Sequence, residues 1–138
     1  MKRKEPSYKY ENVLLVDDSE LDNFINEKTI EANYFARKIY VNTSAKSALE
    51  FLNNLVTMGD QFSDAHPDVI FIDINMPMMD GFQFIESFKK MSENRLRHPR
   101  LVILTSSVYH EDRQKAINIS SDIIFLNKPL TKEMLNNL

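Results

Sequence analysis

Five short apolar runs punctuate the chain, and polar residues close each of them. The first is Val13-Leu14-Leu15-Val16, closed by Asp17-Asp18-Ser19. A weaker, edge-like run, Arg37-Lys38-Ile39-Tyr40-Val41, ends at Asn42-Thr43-Ser44. Val69-Ile70-Phe71-Ile72 leads straight into Asp73 and the turn-rich Asn75-Met76-Pro77-Met78-Met79-Asp80-Gly81. Leu101-Val102-Ile103-Leu104 ends at Thr105-Ser106-Ser107, and Ile123-Ile124-Phe125-Leu126 ends at Asn127-Lys128-Pro129. Runs this short and this apolar read as strands buried on both faces.

Helical spacing fills the intervals. Ser19 is a plausible N-cap for a helix to about Tyr34, with Leu21, Phe24, Ile25, Lys28 and Ala32 in its stripe. Ala45, Ala48, Leu49, Leu52, Leu55 and Val56 give the clearest stripe in the chain. A third helix begins near Gly81, with Phe84, Ile85, Phe88 and Met91 inward. Residues 110–118 form a short fourth helix, and Thr131 caps a last, short one over 131–138. Residues 1–11 read as a lead-in, 58–67 as a long loop and 92–99 as a polar, basic loop. Strands alternating with helices predict an α/β fold, a doubly wound parallel sheet with helices on both faces. One domain, residues 1–138, accounts for the length.

Composition narrows the chemistry. A formal net charge of −3 gives no basic footprint for nucleic acid, and Lys2-Arg3-Lys4 is too short to make one. With no cysteine, disulfides and thiolate metal sites are excluded. No apolar run approaches membrane-spanning length and residues 1–10 are polar, so a cytoplasmic protein is expected. Two glycines, Gly59 and Gly81, cannot make a glycine-rich phosphate loop. His66, His98 and His110 lie in separate segments without ligand spacing.

In a parallel sheet all the strand ends lie on one rim, where open α/β sheets bind ligands. Asp17, Asp18, Asp73, Thr105 and Lys128 therefore converge although 17 and 128 are far apart in sequence. Taken singly, Asp17-Asp18 reads as a turn with a cap, Lys128 as a solvated lysine and Phe125 as core. Together they make a constellation. Three adjacent carboxylates repel one another unless a cation is present. Oxygen ligands suit Mg²⁺, which takes one or two carboxylates with waters and phosphate oxygens. Asp73 is then a candidate nucleophile that accepts a phosphoryl group. Asp17 and Asp18 hold the metal with it, Asn75 could add a backbone carbonyl, Lys128 supplies a counter-charge, and Thr105 a hydrogen bond.

These pieces, in this order, resemble a response-regulator receiver domain, the phosphoacceptor module of two-component signalling. The resemblance runs from Val13 to about Leu135. It rests on Leu14-Leu15-Val16-Asp17-Asp18-Ser19, on Asp73 with Met76-Pro77-Met78-Met79-Asp80-Gly81-Phe82, on Thr105-Ser106 and on Lys128-Pro129. It implies a flavodoxin-like, five-stranded sheet in the order 2-1-3-4-5. It implies that Asp73 is phosphorylated, that Asp17, Asp18 and the Asn75 carbonyl surround Mg²⁺, and that Lys128 bonds the phosphoryl group. Thr105 matches the switch hydroxyl and Phe125 the aromatic that swings inward with it. Lys128-Pro129 matches the family's cis peptide. The implied donor is the phosphohistidine of a sensor histidine kinase or a phosphotransfer protein. The implied output face is the fourth helix, fifth strand and last helix. Such a protein phosphorylates and dephosphorylates itself as a switch and is not a turnover enzyme. Three features depart from the family: the stretch before the third strand is long, Ser120-Ser121 replaces the usual small pair before the fifth, and the final helix is short.

Three other readings compete. A haloacid-dehalogenase-type phosphatase also puts an aspartate after an apolar strand, but needs a second aspartate where Asn75 stands. A flavodoxin-like flavin binder shares the architecture, but Asp17-Asp18 would repel its phosphate. A constitutive receiver-fold scaffold would keep the fold without the chemistry.

Overall fold

The computed structural model describes residues 6–59, 64–92 and 98–138. The elements alternate without exception: β1 (Tyr10–Val16), α1 (Glu20–Ala32), β2 (Ala36–Asn42), α2 (Ala45–Met58), β3 (Val69–Ile72), α3 (Gly81–Ser92), β4 (Arg100–Thr105), α4 (His110–Ile119), β5 (Ile124–Asn127) and α5 (Lys132–Asn136). The five strands form one parallel sheet in the order β2-β1-β3-β4-β5. This is the fold and strand order that the resemblance implied. Most of the expected elements fall within a residue or two of their observed bounds. The expectations for residues 60–63 and 93–97, the middles of two predicted loops, lie outside the described residues.

Strand alternation sends successive side chains to opposite faces and builds two cores. Leu14, Val16, Ile70, Ile72, Leu101 and Ile103 point to one face, where they meet the inner stripes of α2 and α3. Val13, Leu15, Val69, Phe71, Val102 and Leu104 point to the other, against Ile30, Phe35, Leu130 and Leu135. The stripes of α2 and α3 are as the spacing predicts: Ala45, Ala48, Leu52, Leu55, Phe84, Ile85 and Phe88 are buried, with Leu49, Val56 and Met91 packed at the margin. β2 is indeed an edge, paired with β1 alone.

The stripe assigned to α1 is overturned. Leu21 is 67% exposed and Phe24 57%, and Ile25, Lys28 and Ala32 also face solvent. The buried face is Asn23, Asn26 and Ile30. The physical reason lies at the strand ends. There α1 crosses a small cavity of about 10 Å³ whose otherwise apolar lining carries Asp17, Asn23, Asn26 and Asp73. Asn23 Nδ2 donates to the Asp17 carbonyl at 2.8 Å. That bond gives the Asp17 carbonyl a donor that an apolar side chain at this position could not supply.

Two local devices carry the chain into β3. Asp68 Oδ2 accepts from the Glu11 and Asn12 amides, both at 3.1 Å. Buried Asn12 donates to the carbonyls of Asp64 and His66 at 2.5 and 3.0 Å. These bonds align β3 with β1 before the apolar ladder begins, and so fix where Asp73 emerges.

Candidate functional site

Asp73 leaves the carboxyl end of β3 and is only 6% exposed. Its amide donates to the Val16 carbonyl at 3.0 Å, which continues the β1–β3 ladder one residue past the strand. Gly81 N donates to the Ile74 carbonyl at 3.0 Å and folds the intervening turn back on itself. A Cβ at Gly81 would lie 2.9 Å from Ile74 Cα and closer still to the Asp73 carbonyl oxygen. Only a glycine lets α3 begin this near the aspartate. Met78, at φ 71°, turns the tip of this segment.

Asp17 is 4% exposed at the end of β1. Its Oδ1 accepts from the Ser19 amide at 2.9 Å, and its Oδ2 accepts from Lys128 Nζ at 2.6 Å. Asp18 beside it is exposed. One carboxylate oxygen from each of Asp17, Asp18 and Asp73 falls within 4.8 Å of the others. Burial pushes the Asp17 carboxyl above its ordinary range, the Lys128 and Ser19 bonds pull it back, and the charge of Asp73 pushes the same way as burial. Asp73 Oδ1 is buried and lacks a hydrogen-bond partner among the described residues. A clustered set of hard oxygen donors with one buried oxygen unsatisfied fits a small divalent cation.

Lys128 follows β5 and projects across the rim. Its ammonium lies 2.6 Å from Asp17, 2.8 Å from Asp22 and 3.5 Å from Asp73. Desolvation alone would lower its pKa, but the hydrogen bonds to Asp17 and Asp22 and the charges of Asp73 and Asp17 outweigh it, so the group is held well above the ordinary lysine value. The hydrogen bond to Lys128 draws Asp22 below the usual carboxylate range, against a smaller opposing effect of burial. The Lys128–Pro129 bond is cis.

Thr105 ends β4 and is fully buried. Its hydroxyl oxygen accepts from the Ser107 amide at 3.2 Å. Asn127 Nδ2 donates to the carbonyls of Ser107 at 2.6 Å and Thr105 at 3.3 Å. Ser107 Oγ in turn donates to Asp112 Oδ2 at 2.5 Å, tying the loop to the first turn of α4. Phe125 is half-buried, and the Arg113 guanidinium sits over its ring at 4.8 Å. Asn75 is exposed, two residues beyond Asp73.

The five strand-end residues singled out by sequence thus share one rim, and Lys128 touches two of them. Two residues of the site escaped sequence reasoning. Asp22 carries a cap-like signal, Ser19-Glu20-Leu21-Asp22, which points to a helix start and not to a lysine over a hundred residues away. Asn127 reads simply as the end of a strand.

Comparison with known proteins agrees with this geometry. The family model described as "Response regulator receiver domain" matches residues 13–138. A two-component response regulator from Cytophaga hutchinsonii superposes with a TM-score of 0.78 at 32% identity, covering 92% of each chain. The sensor histidine kinase CheAY of Helicobacter pylori is 31% identical over 91% of this chain, and the hybrid signal transduction histidine kinase L of Dictyostelium discoideum 28% identical over 98%. This chain spans only 14% and 7% of the lengths of those two kinases. Among its described residues no helix is long and apolar enough to cross a membrane. A doubly wound sheet of order 2-1-3-4-5, a rim of strand-end acids faced by one lysine, and a family match over nearly the whole chain converge: the protein belongs to the response-regulator receiver domains, the signalling switches of two-component systems.

Proposed function

We propose that Asp73 accepts a phosphoryl group from the phosphohistidine of a sensor histidine kinase or a histidine phosphotransfer protein. The observation that carries this reading is the placing of Asp73, buried at the end of β3, within 4.8 Å of two further carboxylate groups and 3.5 Å from an ammonium. In the transfer, an Asp73 carboxylate oxygen forms a bond to phosphorus as the phosphorus–nitrogen bond breaks, and the imidazole leaves with the electron pair. Reversal of the signal is hydrolysis: water attacks phosphorus, and the aspartate and inorganic phosphate separate. Asp17, Asp18, Asp73 and the Asn75 carbonyl would hold Mg²⁺, which supplies charge neutralisation for the transferring oxygens. Lys128 holds a phosphoryl oxygen from the opposite side. The Thr105 hydroxyl supplies a further hydrogen bond once it is released from the Ser107 amide, and Phe125 follows it inward. The protein acts as a switch in the cytoplasm, not as a turnover enzyme.

The output face in this reading is α4, β5 and α5. Val108 and Tyr109, just before α4, and Ile117 on it are exposed, and Ala116 is the one buried residue of that helix. This supports a surface that can change partners.

Incubation with Mg²⁺ and acetyl phosphate, followed by intact mass, tests the proposal. The expected result is a gain of one phosphoryl group, absent in Asp73→Asn and absent when the metal is chelated. A folded wild type that gains nothing would favour a constitutive scaffold, and rapid turnover of many phosphate monoesters would favour a phosphatase.

A further inference from the structure

Lys128 has three N–H donors, and two of them make short charge-assisted bonds to Asp17 and Asp22. The third contact, to Asp73, is long at 3.5 Å. The partner that holds the ammonium away from Asp73 on the α1 side is thus a carboxylate outside the strand-end set.

The geometry of the α1 cap explains how Asp22 comes to be free for this. Ser19 is the N-cap, and its hydroxyl accepts from the Asp22 amide at 3.2 Å. In a capping box the acid three residues on reaches back to the N-cap amide. Here that amide is already taken by Asp17 Oδ1 at 2.9 Å. The Asp22 carboxylate, kept from the Ser19 amide, turns to Lys128 and keeps only a weaker interaction with the Ser19 side chain. Its side chain stands at the rim, 36% exposed, where Asp17 and Asp73 are 5% and 7%.

We propose that Asp22 is a positioning residue, an acidic tether that competes with the phosphoryl group on Asp73 for the Lys128 ammonium. The inference rests on the phosphoacceptor reading above. A phosphoryl group on Asp73 draws on the same ammonium, and the short bonds to Asp17 and Asp22 resist its displacement toward Asp73. Asp22 is the partner placed outside the acid nest, and it sets how readily that displacement occurs. Removing its charge keeps the main cap bond, because the Asp22 backbone amide donates to Ser19 Oγ whatever the side chain.

The test is the affinity for beryllofluoride, a phosphoryl mimic, at saturating Mg²⁺, read by ¹⁹F NMR on the whole chain. Asp22→Asn should bind it about threefold to tenfold more tightly, the scale of one partly screened charge contact. Asp22→Glu should restore the wild-type value, and Mg²⁺ affinity measured by calorimetry should stay unchanged in Asp22→Asn. Glu20→Gln removes an equally acidic, exposed residue of the same turn that makes no bond to Lys128 among the described residues. An equal gain in Glu20→Gln would overturn the tether in favour of general charge repulsion. Weakened Mg²⁺ binding in Asp22→Asn would overturn it in favour of a metal ligand. A wild type that binds beryllofluoride with the same affinity as Asp22→Asn sinks the tether alone. A folded wild type that does not bind it at all sinks the phosphoacceptor reading and the tether together.

Discussion

The two halves of the sheet are fastened by different forces. In β3 all four residues are at most 2% exposed, and α3 buries Phe82, Phe84, Ile85 and Phe88 against the strands. In β5 all four residues are partly exposed, and α4 buries only Ala116. The fixings of α4 are polar: Ser107 to Asp112, Asn127 to the carbonyls of the β4–α4 loop, Arg113 over Phe125 and Lys115 over Phe82. Apolar packing resists displacement, because every shift opens a void. A hydrogen bond contributes little net and can be exchanged for another. Asp73, the proposed phosphoacceptor, therefore stands on the half that holds still. Phe125, the end of β5 and the loop beyond Thr105 belong to the half whose contacts can be traded.

That contrast can be broken most severely in the core. Phe84→Ala should cost about 3–5 kcal/mol of unfolding free energy, while Ile117→Ala on α4 should stay within about 0.5 kcal/mol, as surface changes do. Urea denaturation of both variants measures the difference, and equal losses would erase the distinction between the halves. Gly81→Ala comes next. Its new methyl group meets the backbone of Asp73 and Ile74, so the cost should be about 1–3 kcal/mol with a fall in acetyl-phosphate incorporation beyond what lost stability explains. Full incorporation in a destabilised Gly81→Ala would show that Asp73 tolerates movement after all. Asn127→Ala is milder than either core or turn change. It removes two bonds to loop carbonyls and should cost about 1 kcal/mol, with faster amide exchange confined to residues 105–112. Exchange that also rises in β1 and β3 would mean the halves are not separable.

Where apolar packing dominates, the chain was legible. β3 and the stripes of α2 and α3 follow from burial periodicity alone. Asp17, Asp18, Asp73, Thr105 and Lys128 were legible for another reason: parallel strands bring their carboxyl ends together whatever lies between. α1 was misread because hydrophobic spacing assumes an apolar neighbour. Its inner face meets Asp17 and Asp73, so Asn23 and Asn26 turn inward and Leu21 and Phe24 outward. Asp22 and Asn127 were missed because each acts on a residue of another element, Lys128 from α1 and the carbonyls of Thr105 and Ser107 from β5. No local pattern encodes such a pairing.

The lysine that neutralises the rim has a further consequence for how the molecule is made. Asp17, Asp22 and Asp73 all precede it in the chain, and synthesis delivers their counter-ion last. Until β5 docks beside β4, the growing chain holds a nest of mutually repelling carboxylates with no ammonium to quiet it. Burying such charges alone is costly. Neutralising the rim from within the chain therefore waits on the docking of β5 beside β4, because Lys128 follows that strand.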